Sequence, residues 1–182
     1  MRDITLCHPR LQRLAGAWMK ACVTQGIAVT IGETFRTVAE QDALYAQGRT
    51  EPGSIVTNAK GSSYSSQHQW GIAFDFYRND GKGAYNESGD FFRRVGQIAK
   101  SIGLGWGGDW TSIIDKPHIY LPNWGSGTNV LKQQYGSFEN FKKTWSTGKK
   151  EYIHQSIGTS AAQVEVTASS LVVRSTPGGA DA

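Results

Sequence analysis

The chain has 182 residues, 38% of them hydrophobic and 19% charged, enough for one soluble globular domain with a hydrophobic core and little beyond it. A net charge of +4 and a pI of about 9.1 favour anionic partners in general, whether nucleic acid, acidic headgroups or phosphate-rich wall polymers. No Lys/Arg cluster is dense enough for a nucleic-acid stripe (the pairs Lys142–Lys143 and Lys149–Lys150 read as solvated surface), and no apolar run reaches the ~18 residues of a membrane span.

In chain order, His8 and Pro9 precede Leu11, Leu14, Ala15, Trp18, Ala21 and Cys22, the spacing of an amphipathic helix with proline in its first turn and Gly26 near its end. Cys7 and Cys22 flank that helix, roughly 20 Å apart at 1.5 Å per residue, too far for a disulfide, so both are expected as free thiols. Ile27, Val29 and Ile31 alternate as in a half-buried strand expected to run to about Phe35. Thr37 and Glu40 form a capping box that opens a short helix ending at Gly48. Residues 49–66, rich in Gly, Ser, Thr and Asn, read as a long loop, and loops of that length in compact domains are commonly functional.

Ile72, Phe74 and Phe76 alternate with Ala73, Asp75 and Tyr77, predicting a strand whose Asp75 points away from the apolar face. Ser88 is the expected N-cap of a third helix that buries Phe91, Phe92, Val95, Ile98, Ala99 and Ile102 and closes at Gly103. The run LGWGGDW at 104–110 is a Gly/Trp loop, 118–121 a short strand between prolines, and 130–145 a helical stretch interrupted near Gly136. Composition then shifts. Residues 1–146 are expected to form the main domain and 147–163 a linker. The run VEVTASSLVVRSTPGG at 164–179 resembles the opening of a bacterial SH3-type wall-binding domain, so 164–182 is expected to be a truncated or partial segment of that kind. The N-terminus MRDITLCHPR lacks the apolar core of a signal peptide, so release by lysis, another export route or a removed signal is expected.

Only four histidines occur, at 8, 68, 118 and 154. His68 and Asp75 bracket the turn into one predicted strand, and Asp115 and His118 bracket the entry to another. Two imidazoles and one carboxylate suit a hydrolytic zinc site, which keeps a fourth position for water. Spacing alone leaves a chance pairing open.

The run SQHQWGIAFD at 66–75 fits the pattern S-x-H-x-x-G-x-A-x-D, and DKPH at 115–118 places an acid three residues before a histidine. Upstream lie FRT at 35–37 and QDALYAQGR at 41–49. These motifs, in this order over residues 7–145, resemble the D-Ala-D-Ala carboxypeptidase/VanY-like zinc metallopeptidases, and most closely in look the L-alanyl-D-glutamate endopeptidases of phage endolysins and CwlK-like autolysins. The resemblance implies one Zn²⁺ per chain on His68, Asp75 and His118, Asp115 as catalytic base, and Arg36 as the cation that stabilises the developing oxyanion. Arg36 without the family reads as a surface salt bridge. Ser66 is expected either to touch substrate or to orient His68, and Gln41 to position Arg36 or substrate. Trp106, Asp109 and Trp110 are candidates for the cleft wall, with Asp109 meeting a polar substrate group or orienting a ligand histidine; Trp106 reads equally as a core cap, and Asp109 is the rival base. His8 and His154 fall outside the motifs. The absence of HxH near His118 and of HExxH separates the chain from lysostaphin-type and thermolysin-like enzymes.

The expectation is therefore an α+β fold, a small antiparallel sheet flanked by helices with a zinc-binding groove, acting as a monomer at the bacterial cell wall. Its substrate is the peptidoglycan stem peptide, cut at the L-Ala–D-Glu bond, with anionic wall polymers as further partners and neither nucleic acid nor membrane. A D-Ala-D-Ala carboxypeptidase and a non-catalytic wall-binding module are the alternatives.

Overall fold

A computed structural model describes residues 2–146 and, as backbone alone, the strands Glu151–Ile157, Ser160–Thr167 and Ser170–Val173. A four-stranded antiparallel sheet organises the first part: β1 (Val29–Ile31), β2 (Ala73–Arg78), β3 (Gly105–Trp106) and β4 (His118–Tyr120), in the order β1-β2-β4-β3. Helices α1 (Pro9–Thr24) and α3 (Phe91–Ser101) cover its apolar face, giving the expected α+β class.

The burial pattern explains this packing. In α1 the buried Leu11, Ala15, Trp18 and Cys22 recur at helical spacing, and Trp18 lies against Phe74 and Phe76 of β2, ring centroids 5.2 and 5.6 Å apart. From α3, Phe92 meets Phe76 at 5.4 Å. Because strand side chains alternate, burying Phe74 and Phe76 under the helices turns Asp75 and Tyr77 to the opposite face. Both cysteines are free and buried, and burial pushes the Cys7 thiol up to about 12, an inert group.

Several local signals act as read. Thr37 and Glu40 close the capping box on α2 (Val38–Ala46). Gly136, at φ +73°, separates α4 (Asn129–Tyr135) from α5 (Phe138–Thr144). Phe141 of α5 is fully buried in a cluster of rings with His8, Trp70, Trp124, Tyr135 and Trp145. His8 caps α1 there, its Nδ1 accepting from the Arg10 N–H at 3.1 Å.

Three expectations shift. The first strand stops at Ile31 rather than near Phe35. Gly32 N–H donates to the Asp75 carbonyl (2.7 Å) and Asp75 N–H to the Glu33 carbonyl (2.8 Å), so two residues face one, a β-bulge that turns the chain away. Only glycine fits at 32, since an added Cβ would lie 1.9 Å from the Tyr77 ring. The N-cap of α3 is Asp90, in the left-handed region at φ +56°, not Ser88; Ser88 instead accepts from the Arg78 guanidinium through its carbonyl (2.7 Å) and hydroxyl (3.2 Å). Beyond α5, β5 (Glu151–Ile157), β6 (Ser160–Thr167) and β7 (Ser170–Val173) pair as an antiparallel three-stranded sheet, so extended pairing begins within the stretch assigned to a linker. Residues 147–150, 158, 159, 168, 169 and 174–182 of the expected linker and tail lie outside the described residues.

Two glycines test the packing. Gly16 lies exposed within α1 with nothing near its absent Cβ, whereas a Cβ on Gly96 of α3 would sit 2.2 Å from the Trp106 ring. Gly16→Ala is expected to raise stability by about 0.5–1 kcal/mol and Gly96→Ala to lower it by about 1–3 kcal/mol, read as opposite shifts of the urea midpoint.

Candidate metal centre

Strand pairing brings two of the three predicted ligands together. In the β2–β4 ladder Asp75 lies directly opposite His118. Backbone bonds flank that pair, from Phe76 N–H to the Pro117 carbonyl (2.9 Å) and from Leu121 N–H to the Ile72 carbonyl (2.8 Å). The 75/118 pair is therefore a non-hydrogen-bonded one, where opposed side chains on one face approach most closely. His68 arrives from a short 3₁₀ turn, Gln67–Trp70, anchored by the buried Trp70 and by Arg36 N–H donating to the His68 carbonyl at 3.1 Å.

The outer nitrogen of each ring has a partner that decides its tautomer. His68 Nδ1 lies 2.8 Å from the Thr34 carbonyl, which can only accept, so Nδ1 carries the proton and Nε2 turns inward. His118 Nε2 lies 2.8 Å from Gln67 Oε1, leaving Nδ1 inward. These inner nitrogens each stand 3.3 Å from Asp75 Oδ1, and all three atoms lie within 4.8 Å of one another. In neutral rings, three acceptors then face a common point, an arrangement that a bound metal ion relieves without protonating either ring. Bonds of about 2.0–2.2 Å at tetrahedral angles place neighbouring donor atoms about 3.3–3.5 Å apart, matching both distances to Asp75. The donor set fits a divalent ion. Without one, burial works to raise the Asp75 carboxyl, but the two neighbouring imidazoles, His68 foremost, hold it well below the usual carboxylate range.

The remaining predicted residues distribute unevenly. Half-buried Asp115 lines the same cleft; its N–H bonds the Gly107 carbonyl (3.1 Å), and its carbonyl accepts from His118 N–H (3.2 Å). Burial raises its carboxyl above the ordinary value, with the charge of Asp75 adding to this and His118, His68 and Arg36 opposing it. Arg36 is a buried cation facing the cleft, not a surface salt bridge, and its Nη1 donates to Gln41 Oε1 at 2.9 Å. Gln41 is fully buried, with its amide nitrogen on Thr57 Oγ1 (3.2 Å) and the Ala59 carbonyl (2.8 Å). Of its two expected roles, the contacts favour positioning Arg36 over touching substrate. Ser66 lines the cleft beside His68, whose ring is oriented by Thr34 instead.

Trp110 walls the cleft, its ring centroid 5.0 Å from that of His118 and its Nε1 donating to Tyr120 Oη (3.3 Å). Trp106 caps the core, buried, with Nε1 on the Lys116 carbonyl at 2.7 Å. The Asp109 carboxylate sits at the rim, tied to Lys100 at 2.5 Å; the outer nitrogens of His68 and His118 meet Thr34 and Gln67 instead. Thr34 and Gln67 were not legible as site residues. One contributes only its backbone, and the other occupies a variable position of the motif and meets a partner 51 residues away.

The cleft has a volume of about 1830 Å³. The 49–66 loop forms one wall. Arg49 pins it, its guanidinium donating to the Tyr45 carbonyl (2.7 Å), the Thr57 carbonyl (3.0 Å) and Asn58 Oδ1 (2.9 Å). Residues 109–113 line the cleft as well, together with Arg36, His68, Asp75, Asp115 and His118.

Comparison with known proteins agrees with this geometry. The family described as D-alanyl-D-alanine carboxypeptidase matches residues 59–121, the segment that carries all three donors and Asp115. The chain is 42% identical over 127 residues to the peptidoglycan L-alanyl-D-glutamate endopeptidase CwlK of Bacillus subtilis strain 168, covering 64% of this chain and 74% of that protein. It is 34% identical over 112 residues to the L-alanyl-D-glutamate peptidase of Listeria phage A118, covering 59% of this chain and 35% of that one. Among solved structures, the Serratia marcescens L-Ala D-Glu endopeptidase ChiX superposes with a TM-score of 0.48 at 19% identity, over 65% of this chain and 83% of its own. The chain belongs to the metallopeptidase family described as D-alanyl-D-alanine carboxypeptidase, in company with CwlK.

Proposed function

We propose that this protein is a zinc-dependent peptidoglycan peptidase that hydrolyses the L-Ala–D-Glu bond of the stem peptide, with residues 1–146 as its catalytic domain. The observation that carries the reading is the convergence of three inward-facing donors at metal-ligand spacing on the floor of a cleft that also holds an acid and a buried guanidinium. Both curated relatives described above are named for L-alanyl-D-glutamate cleavage. The size of the cleft favours the same bond. Pockets for small ligands span about 300–1,000 Å³, and a cleft of about 1830 Å³ has room for peptide on both sides of an internal bond. A carboxypeptidase needs room for only the chain end.

His68, Asp75 and His118 would hold one zinc ion, which supplies Lewis acidity to polarise a carbonyl and acidify water. Asp115 removes the proton from the attacking water and returns it to the departing amine. Its raised affinity for a proton suits a group that must act both ways near neutral pH. Arg36 faces the cleft with a permanent charge and stabilises the oxygen that becomes negative as the carbonyl turns tetrahedral. Gln41 holds that guanidinium in place. The site of action is the bacterial wall, and the basic surface suits its anionic polymers. Among the described residues no helix is long and apolar enough to cross a membrane.

Mass spectrometry of purified muropeptides after digestion is expected to reveal new N-terminal D-Glu. Release of free D-Ala instead would establish the carboxypeptidase, and uncut muropeptides with zinc bound would establish a wall-binding module.

Asp115 supports a second test. A carboxyl that holds its proton more tightly folded than unfolded costs the native state stability as pH rises from the ordinary carboxylate value through the raised one. Asp115→Asn is therefore expected to raise the melting temperature of the metal-free protein at pH 7, with the difference vanishing below about pH 4. The same substitution should reduce turnover by about 10²–10⁴-fold while one zinc per chain remains by elemental analysis. Wild-type turnover in this variant would remove Asp115 as the base.

A further inference from the structure

We infer that Gln67 is a positioning residue for the metal: its side-chain amide selects the tautomer and fixes the ring of His118, so that this histidine presents Nδ1 to the ion. The inference rests on the reading of His68, Asp75 and His118 as the ligand set and adds to it the group that prepares one of them.

Gln67 is buried, 4% exposed, and both ends of its amide meet the protein. Its Nε2 faces the Gly125 carbonyl at 3.4 Å and its Oε1 faces His118 Nε2 at 2.8 Å. The orientation follows from chemistry. A backbone carbonyl can only accept, so the NH₂ end of the amide belongs against Gly125 and the oxygen against the imidazole. An amide oxygen can only accept in turn, so His118 Nε2 carries a proton and its Nδ1 lone pair faces Asp75. A metal-ligating histidine generally needs such an acceptor on its outer nitrogen, and losing it typically costs 10–100-fold in metal affinity.

The two ligand histidines differ in how they are held. His68 leans on the backbone of Thr34, an acceptor that no substitution removes. His118 depends on a side chain. Gln67 is also the neighbour of His68 in one 3₁₀ turn, and its carbonyl accepts from Ile72 N–H at 3.3 Å at the entry to β2. One residue thus links the turn carrying one ligand to the ring of another that lies 51 positions away in sequence. Being neutral, the amide does this without adding charge, so a dication with one carboxylate keeps a net positive site.

Zinc affinity, measured by competition with a chromogenic chelator, and the melting temperature of the metal-free protein together test the role. Gln67→Met keeps length and burial but lacks an acceptor; it should weaken zinc binding about 10–100-fold with little change in melting temperature. Gln67→Glu keeps an acceptor against His118 but sets an oxygen against Gly125; it should melt lower yet bind zinc at least as tightly as wild type. A packing role predicts the reverse ranking, with Met retaining affinity and Glu losing it, and that result overturns the proposal. Should the Met variant fail to fold, long-range ¹H–¹⁵N spectra of the metal-free wild type, taken at a pH where the His118 ring is neutral, decide: the proton on Nε2 supports the assignment and the proton on Nδ1 overturns it. Failure of the wild type to bind zinc would instead remove the ligand set itself.

Discussion

The approach of three lone pairs inside a folded core is the constraint around which this molecule is built. Two imidazole nitrogens stand 3.3 Å from one carboxylate oxygen, and the outer nitrogen of each ring is already committed to an acceptor. Grouping acceptors in this way is unfavourable in a protein interior. It persists because the surrounding structure over-determines it, and a bound cation would convert the repulsion into attraction. Sites where local rules are broken against the pull of stability are where function is expected.

The scaffold meets this constraint chiefly through strand register. A one-residue slip of β2 against β4 would turn Asp75 into the aromatic layer and Phe74 into the cleft. Trp18, Phe92 and the fully buried Phe74 and Phe76 make that slip costly. Core packing and ligand geometry are thus one problem, since the contacts that hold the helices on the sheet also aim Asp75 at His118. The bulge at Gly32 and Glu33 then leads the chain to Thr34, which orients His68, and to Arg36, which faces the same cleft.

Electrostatics divides the acids of the cleft. Asp75 and Asp115 both line it, yet their proton affinities move in opposite directions. Asp75, beside two imidazoles, is held well below the usual carboxylate range and stays ionised. Asp115 is half-buried, with burial and the charge of Asp75 favouring its protonated form, as suits a group that passes a proton between water and amine. Asp109, paired with Lys100 at the rim, belongs to neither class.

What could be read from the linear chain was whatever acts over a few residues. The capping box of Thr37 and Glu40, the proline at the start of α1, the break at Gly136 and the outward direction of Asp75 each follow from local periodicity or backbone chemistry. Family resemblance added the ligand set, which spacing alone left open. Where a neighbour distant in sequence competes, local reading erred: Arg78 claims Ser88, and Asp90 occupies the N-cap position of α3. The tautomer of His118, the burial of Gln41 beside Arg36 and the volume of the cleft required the folded chain. They depend on partners brought together by strand pairing across dozens of residues, and no short-range pattern encodes which side chains that pairing will place within a hydrogen bond of each other.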